Sequence, residues 1–264
     1  MGTGRPDEGE APSSEELSER LEAFRARSLI LTKLFRPYLV GLLSNQVLSS
    51  SGMPVGTGSG IIIRSDVAVF VLTAAHVWSD ALDRADEIRI GHAVFERSAV
   101  STIAFDEERD IATIALPPGN DGRTIGAIEY PYEDIGRAKR WTGTIVFGFP
   151  TEVAKVETRD DRPGLRLFPA ILLPTPEEFD AVRRWFGSEP ADWQKFDVGE
   201  PGGALVPAPD LGGMSGGPVF QDIDGKERLV GVHVGRSGGL GNRRFYFSAL
   251  WDMLADGSLR AVSI

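Results

Sequence analysis

The sequence predicts an all-β protein, built as an antiparallel sandwich or a pair of barrels. From Tyr38 onward, short runs rich in β-branched and aromatic residues alternate with Gly, Ser, Asn and Pro, which is the spacing of antiparallel strands. The 31 glycines and 17 prolines among 264 residues also favour tight turns over a helical bundle. A chain of this length can bury a large core, either as one double barrel or as two smaller domains.

The predicted elements follow this rhythm. A hydroxyl cap at Ser13 and acidic residues after it open an N-terminal helix, which ends near Pro37 because proline removes a donor. Thr175 is expected to cap a second short helix that runs to about Phe186. The predicted strands are residues 38–43, 60–64, 67–72, 87–90, 98–104, 111–116, 143–147, 218–221, 229–234 and 244–247.

Charge and composition exclude several classes of protein. The net charge of −10 and the absence of a basic cluster argue against nucleic acid as a partner. The absence of cysteine rules out disulfides and thiolate metal sites and favours a reducing compartment. The acidic, polar residues 1–11 do not resemble a secretory signal, and Lys33, Arg36 and Pro37 interrupt the most apolar early segment, so no membrane span is expected. We therefore expect a soluble, cytoplasmic protein.

One segment joins an apolar strand to a histidine. Residues 71–76 read Val-Leu-Thr-Ala-Ala-His, so small residues leave room for the ring of His76. Histidine is the side chain that takes a hydroxyl proton at neutral pH, which makes His76 a candidate general base. The alternative is a histidine that is simply part of the core.

An acid precedes a buried strand in residues 110–116, Asp-Ile-Ala-Thr-Ile-Ala-Leu. A carboxylate at such a place can hold the second ring nitrogen of a histidine base and stabilise the imidazolium that forms. Asp106 is a rival, and a solvated surface charge is the alternative. We predict Asp110 as the acid because it directly precedes the apolar run.

A glycine-rich turn surrounds Ser215 in residues 211–220, Leu-Gly-Gly-Met-Ser-Gly-Gly-Pro-Val-Phe. Glycines on both sides permit a tight turn with positive φ, which exposes Ser215 and directs the amides of Gly213 and Ser215 to one point. Two such donors stabilise an oxyanion. A phosphate-binding loop is the competing interpretation, but the terminal Gly-Lys-Ser/Thr is missing and a strand is predicted to follow.

Taken together, Thr-Ala-Ala-His, Asp-Ile-Ala and Gly-Met-Ser-Gly-Gly-Pro-Val resemble, in this order, the trypsin/chymotrypsin superfamily. The resemblance covers about residues 36–256. It implies an all-β double antiparallel β-barrel, with an N-terminal helical extension and a short C-terminal helix. It also implies His76 as general base, Asp110 as its orienting acid, Ser215 as nucleophile, and the amides of Gly213 and Ser215 as the oxyanion hole, with no metal or cofactor.

The resemblance suggests a division of the chain into three parts. These are a disordered tail plus N-terminal helix (1–35), a protease domain (36–256) and a C-terminal tail (257–264). The domain contains two barrels, at about 36–135 and 136–256, with a loop-and-helix insert at 151–209. Residues 56–60 and 146–150 also resemble bacterial trypsin-like peptidases. A connection as long as the insert is usually functional, so it is expected near the site.

Residues 231–235, Gly-Val-His-Val-Gly, resemble the glutamyl endopeptidases and the viral cysteine proteases of the same fold. This likeness places His233, Val234 and Gly235 in the pocket for P1, the substrate residue before the scissile bond. Asp210 stands where those enzymes have a threonine, and an acid beside His233 disfavours a bound carboxylate. The P1 preference therefore stays open between Gln, Glu and a basic residue, and a structural pair of His233 with Asp210 is the alternative.

The sequence thus predicts a serine endopeptidase that acts on protein or peptide substrates without a cofactor. Met214 stands where animal members activated from zymogens have an acid, so activation by N-terminal trimming is not implied. The main alternative is a protease-fold binding or regulatory module with weak or gated activity, which contacts a protein partner through the N-terminal helix or the insert at 151–209. An esterase on the same fold is a third possibility.

Overall fold

The structure, a computed structural model, describes fourteen stretches of the chain. They are residues 30–31, 33–48, 54–84, 86–139, 144–149, 157–159, 162–164, 168–172, 184–188, 195–196, 206–207, 212–237, 244–250 and 252–260. The first nine strands are β1 Leu39–Leu48, β2 Pro54–Arg64, β3 Val69–Thr73, β4 Glu87–Ile90, β5 Ala93–Glu96, β6 Ser101–Asp106, β7 Ile111–Ala115, β8 Tyr130–Pro131 and β9 Thr144–Gly148. The remaining strands are β10 Glu157–Arg159, β11 Arg162–Gly164, β12 Phe168–Leu172, β13 Arg184–Ser188, β14 Lys195–Phe196, β15 Val206–Pro207, β16 Pro218–Ile223, β17 Lys226–Ser237 and β18 Arg244–Ala249.

The helical elements are short. Helix α1 comprises Ala75–Arg84 and helix α2 comprises Gly122–Ile125, and 3₁₀ turns occur at Arg36–Tyr38, Arg97–Ala99 and Tyr132–Asp134. Helix α1 begins two residues after β3 ends, and it buries Val77, Trp78 and Ala81 while His76 stays exposed. This one-sided apolar pattern explains why the residues after Thr73 leave the sheet and form a helix on it.

Two antiparallel sheets make up most of the fold. The first has the strand order β5-β4-β1-β2-β3-β7-β6, and β8 pairs in parallel with β2. The second has the order β12-β9-β16-β17-β18-β13. In the first sheet, Ile61, Ile62 and Ile63 of β2 are all fully buried, so this strand is covered on both faces. The predicted all-β fold class, a double antiparallel β-barrel, is confirmed.

An aromatic cluster lies where the two sheets meet. The ring of Phe35, which precedes β1, stacks on Phe220 of β16 with 4.0 Å between centroids. Phe147 of β9 and Tyr130 of β8 contact Phe220 edge-on at 5.8 and 5.6 Å. Because aromatic pairs add to the stability gained by burial, the rings around Phe220 help to join β8 of the first sheet to the second sheet and to the residues that precede β1.

All the predicted strands are present, that at 87–90 with the predicted bounds and the others with shifted ends, but the helix predictions were less accurate. Residues 30–31 and 33–35 are helical, and the rest of the predicted N-terminal extension lies outside the described residues. The helix predicted from Thr175 to Phe186 also falls mostly outside them. Its last residues are wrong, because 184–186 belong to β13, where pairing with β18 determines the conformation.

The short C-terminal helix is not found in residues 244–250 or 252–260. Residues 252–260 instead form a turn that is closed by a bridge between Met253 and Leu259. Main-chain carbonyls of this turn accept hydrogen bonds from side chains elsewhere in the fold. Thr113 Oγ1 of β7 donates to the Gly257 oxygen at 2.7 Å, and Tyr132 Oη of the 3₁₀ turn after β8 donates to the Met253 oxygen at 2.7 Å. A helix would have used such carbonyls internally, so these contacts favour the turn.

Candidate active site

His76 and Asp110 are joined by two hydrogen bonds. The His76 backbone N–H donates to Asp110 Oδ1 at 2.9 Å, and the ring Nδ1 lies 2.7 Å from Asp110 Oδ2. Because a carboxylate only accepts, Nδ1 carries the proton and Nε2 is left as the acceptor of a neutral ring. The pair is partly open to solvent, with 47% of the His76 side chain and 21% of the Asp110 side chain exposed. This geometry fixes both the tautomer and the direction of the imidazole.

The same contact changes the acidity of the ring. The hydrogen bond that the His76 ring donates to Asp110 raises the pKa of the imidazole, partial burial of the ring opposes the rise, and the charges of Asp110 and Asp80 add to it. The imidazolium that forms during proton transfer is therefore stabilised, as a general base requires.

Asp110 occupies the last position of the turn between β6 and β7. Its φ is +56°, in the left-handed region that non-glycine residues adopt at a cost of about 1 kcal/mol or more. The rival acid, Asp106, lies at the start of the same turn and accepts the Arg109 N–H at 2.9 Å. Asp106 therefore caps the turn, and Asp110 is the acid that contacts the histidine.

The turn that carries Ser215 is held by main-chain hydrogen bonds. The Gly217 N–H donates to the Met214 oxygen at 2.9 Å, and the Gly216 N–H donates to the His233 oxygen of β17 at 2.7 Å. Since the N–H of a trans peptide points away from its carbonyl, the bond to the Met214 oxygen turns the Ser215 N–H to the opposite side. Gly213, with φ of +92°, supplies the left-handed bend before the serine.

The Ser215 turn packs directly on the strand that leads to His76. Gly216 has φ of +83°, and a Cβ atom there would come within 2.2 Å of Thr73 Oγ1 and 3.1 Å of the Ala74 nitrogen. Only glycine permits this approach. The contact places the Ser215 turn against residues that lie just before α1, the helix that carries His76.

Ser59 of β2 holds this turn from the first sheet. Its N–H donates to the Ser215 oxygen at 2.8 Å, and its Oγ donates to the Gly213 oxygen at 2.8 Å. Its Oγ also accepts the Phe149 N–H at 2.9 Å. Ser59 is fully buried. A single residue thus fixes the carbonyls on both sides of Met214.

The predicted oxyanion donors are available in the part of the chain that the structure describes. There, neither the Gly213 N–H nor the Ser215 N–H has a hydrogen-bond partner. Among the same residues, no hydrogen bond joins His76 to the Ser215 hydroxyl. Such a bond is often long in unliganded enzymes and shortens when substrate binds.

His233 belongs to β17 and lies beside the Ser215 turn. It is 2% exposed, its ring Nδ1 lies 3.1 Å from the Tyr246 oxygen, and its N–H donates to the Gly217 oxygen at 2.8 Å. Val234 and Gly235 follow it and are half-buried, and the space where a Gly235 side chain would project is open. The fourth residue predicted for the P1 pocket, Asp210, lies outside the described residues.

A family model described as a trypsin-like peptidase domain matches residues 58–232. The chain belongs to this family. The match spans His76, Asp110 and Ser215, so the segments that carry the sequence resemblance fall within one domain of this trypsin-like peptidase. The predicted relationship to the trypsin/chymotrypsin superfamily is therefore confirmed.

Two solved structures resemble the trypsin-like peptidase at low identity. One is the crystal structure of the thermostable serine protease AL20 from an extremophilic microorganism, with 15% identity, a TM-score of 0.48, and coverage of 81% of this chain and 91% of that chain. The other is from a study of the intrinsically disordered VPg protein of Sesbania mosaic virus, with 16% identity, a TM-score of 0.45, and coverage of 80% and 85%. No curated protein sequence matches the chain significantly.

Sequence reasoning did not identify two buried residues that lie beside the candidate site, Ser59 and Arg109. Ser59 lies in Gly-Thr-Gly-Ser-Gly, a motif that resembled bacterial peptidases but had no assigned role. Arg109 directly precedes the predicted acid, but the sequence does not indicate that this arginine is buried. Within the described residues, no cluster of three potential metal ligands is present, and no helix is long and apolar enough to span a membrane.

Proposed function

We propose that this trypsin-like peptidase is a serine endopeptidase that cleaves peptide bonds through an acyl-enzyme on Ser215. The observation that carries the proposal is the double hydrogen bond of His76 to Asp110, which leaves Nε2 as the acceptor. A ring held in this tautomer next to a serine turn with unpaired amides has the parts that acyl transfer needs.

The proposed reaction has two steps. His76 Nε2 takes the proton of the Ser215 hydroxyl as Oγ bonds to the substrate carbonyl carbon, and the Gly213 and Ser215 amides stabilise the oxyanion. The imidazolium, stabilised by Asp110, then gives its proton to the leaving amine, and the peptide bond breaks. In the second step, water loses a proton to Nε2 and attacks the acyl-enzyme, and the carboxylic acid product leaves as Ser215 regains its proton.

A fluorophosphonate probe and a peptide substrate test this proposal together. We expect the probe to label the full-length chain on Ser215 alone, as located by mass spectrometry, and we expect Ser215→Ala to lose both labelling and turnover. Ser59 is a second serine of the site, but it is fully buried, and it serves as an internal control because its Oγ already bonds to Gly213 and Phe149. A chain that neither reacts with the probe nor cleaves a peptide library would contradict the proposal.

One observation favours a second candidate, a protease-fold module whose activity is gated. No hydrogen bond joins the His76 ring to the Ser215 hydroxyl among the described residues. A gated module would react slowly with the probe in the free state and faster once a bound partner aligns the two side chains. The comparison that tests gating is therefore the labelling rate of the chain with and without a candidate partner protein, because a peptide in the site itself would compete with the probe for Ser215. Fast labelling of the free chain would contradict gating.

For specificity, we propose that the P1 pocket accepts a long polar side chain, Gln, Glu, Lys or Arg. The support is the position of His233, which is buried and is bonded through its main chain to the glycines that follow Ser215. A polar P1 side chain can form hydrogen bonds with a pocket wall that contains an imidazole, whereas an apolar side chain loses such bonds to water without replacing them.

A further inference from the structure

Arg109 and Asp252 form a buried ion pair. The two guanidinium nitrogens Nη1 and Nη2 lie 2.6 and 2.8 Å from the two carboxylate oxygens, and the side chains are 4% and 3% exposed. Nη2 also donates to the Ala249 oxygen at 2.9 Å. Such a fork-to-fork pair fixes the direction of the guanidinium as well as its distance from the carboxylate.

The main chain of Arg109 is held as well as its side chain. Its N–H donates to Asp106 Oδ1, and its carbonyl accepts a hydrogen bond from the buried hydroxyl of Ser248 in β18. Every polar contact of Arg109 therefore ends either on its own turn or on the segment from β18 to Asp252. The residue that follows is Asp110, in its left-handed conformation.

The ion pair is not explained by stability alone. Buried ion pairs often contribute little net stability, because the two charges lose their hydration, and an apolar pair of similar volume is frequently as stable. In addition, the Arg109 Nε is buried without a hydrogen-bond partner among the described residues. The pair does fix the course of the backbone at Arg109, the residue directly before Asp110.

We propose that Arg109 is a positioning residue for the catalytic acid: its buried pair with Asp252 holds Asp110 in the left-handed conformation that aims the carboxylate at His76. The inference rests on the proposed function of the site. Arg109 itself does not touch the substrate. It acts through Asp110 on the orientation and basicity of the His76 ring.

The first test measures turnover. Arg109→Lys keeps the charge but loses the fork, and Asp252→Asn keeps the shape but loses the charge. Each variant is expected to lower kcat by about 10- to 100-fold with little change in KM, since small misplacements of a catalytic group have effects of this size. The double variant Arg109→Met with Asp252→Leu removes both charges, so it is expected to fold and still to have the low kcat.

The second test does not depend on turnover. The chain has three histidines, so the ring pKa of His76 can be followed by NMR in the full-length Ser215→Ala protein, with exposed His92 as internal reference. We expect the pKa of His76 to fall toward its ordinary value in the Arg109 and Asp252 variants, because the Asp110 hydrogen bond that raises it is weakened.

Arg64→Lys is the matched control. Arg64 also forms a fork with a carboxylate, Glu129, at 3.0 and 2.9 Å, but it lies at the far end of the β2–β3 pairing from Thr73. This variant is expected to keep the parent kcat and the parent pKa of His76. Arg109 variants that are folded and keep both the parent kcat and the parent His76 pKa would overturn the inference. A parent chain without peptidase activity would overturn the proposed function instead, and the NMR titration would still test Arg109.

Discussion

The acid and the nucleophile of the candidate site are held by different kinds of contact. Charged side chains fix the turn that carries Asp110, through the buried pair of Arg109 with Asp252. Main-chain hydrogen bonds fix the turn that carries Ser215, and Ser59 contributes the one side-chain bond to that turn among the described residues. The position of Asp110 therefore depends on a charged pair, whereas the position of Ser215 depends on main-chain hydrogen bonds and on the close packing of its turn.

This difference predicts which substitutions each side tolerates. Near Ser215, any residue larger than glycine at position 216 would meet the backbone of Ser59 and the side chain of Thr73. Near Asp110, volume matters less than charge, because an arginine without its carboxylate is an unpaired buried ion. Mutations on the two sides should consequently differ in their dependence on pH.

The largest effect is expected from the two residues that exchange the proton. Ser215→Ala and His76→Ala should each reduce kcat/KM on the order of 10⁴-fold or more, because the two side chains act as one unit. The double variant should be no less active than either single variant. Circular dichroism and thermal unfolding should stay close to the parent, since about half of the His76 side chain is exposed and the serine hydroxyl has no bonding partner among the described residues.

On the acid side, Asp110→Asn should reduce kcat/KM by roughly 10⁴-fold, because an amide can stabilise the wrong histidine tautomer. In the parent, neutral His76 is the active form, so activity is lost as the pH falls through its raised pKa. The acidic limb of the pH profile should therefore lie above that of an ordinary imidazole, and it should move to lower pH in Asp110→Asn. Asp106→Asn is the comparison, and an inactive Asp106→Asn beside an active Asp110→Asn would reverse the assignment.

On the nucleophile side, Ser59→Ala should lower kcat by about 100-fold through loss of the bond that orients the Gly213 carbonyl. It should also reduce the free energy of unfolding by about 1–3 kcal/mol, because the Phe149 N–H and the Gly213 oxygen lose their partner. Thr113→Val removes a similarly buried bond, to the Gly257 oxygen, and should lower stability without changing kcat. Equal kcat values in the two variants would contradict a role for Ser59 in the site.

A smaller effect is expected at the proposed P1 pocket. His233→Ala should lower kcat/KM for the preferred residue by at least about tenfold, the equivalent of one polar hydrogen bond. Profiling with a peptide library should give Gln, Glu, Lys or Arg at P1 in the parent. A profile dominated by Phe or Leu would instead make His233 a structural residue behind the pocket, tied to Tyr246 and Gly217.

The smallest effect is expected from removing residues 1–28. Met214 offers no charge for a new N-terminus to pair with, so activity on casein should stay at the full-length level. Leu31 and Phe35, which are buried in the core, remain in this variant. A large gain of activity would make the removed segment an inhibitory arm.

The sequence predicted the strands and the three catalytic candidates because their signals are local. Asp110 precedes a strand that is apolar apart from Thr113, and Ser215 has glycines close on both sides, so both can be recognised without tertiary information. Helix α1 was missed because the small residues before His76 suggested the end of a strand. The Arg109–Asp252 pair depends on residues 143 positions apart, and neither residue type is distinctive in its own segment.

The spacing of that pair has a consequence for how the protein is made. The hydrogen-bond partners named for the Ser215 turn all lie at or before residue 233. A nascent chain that has reached β17 therefore contains every residue that holds this turn. Asp252 emerges from the ribosome later, and contacts so distant in sequence also form slowly. The charge that we propose to fix Asp110 is thus translated after every residue that holds the Ser215 turn, so we expect the two halves of the candidate site to be completed in that order during synthesis.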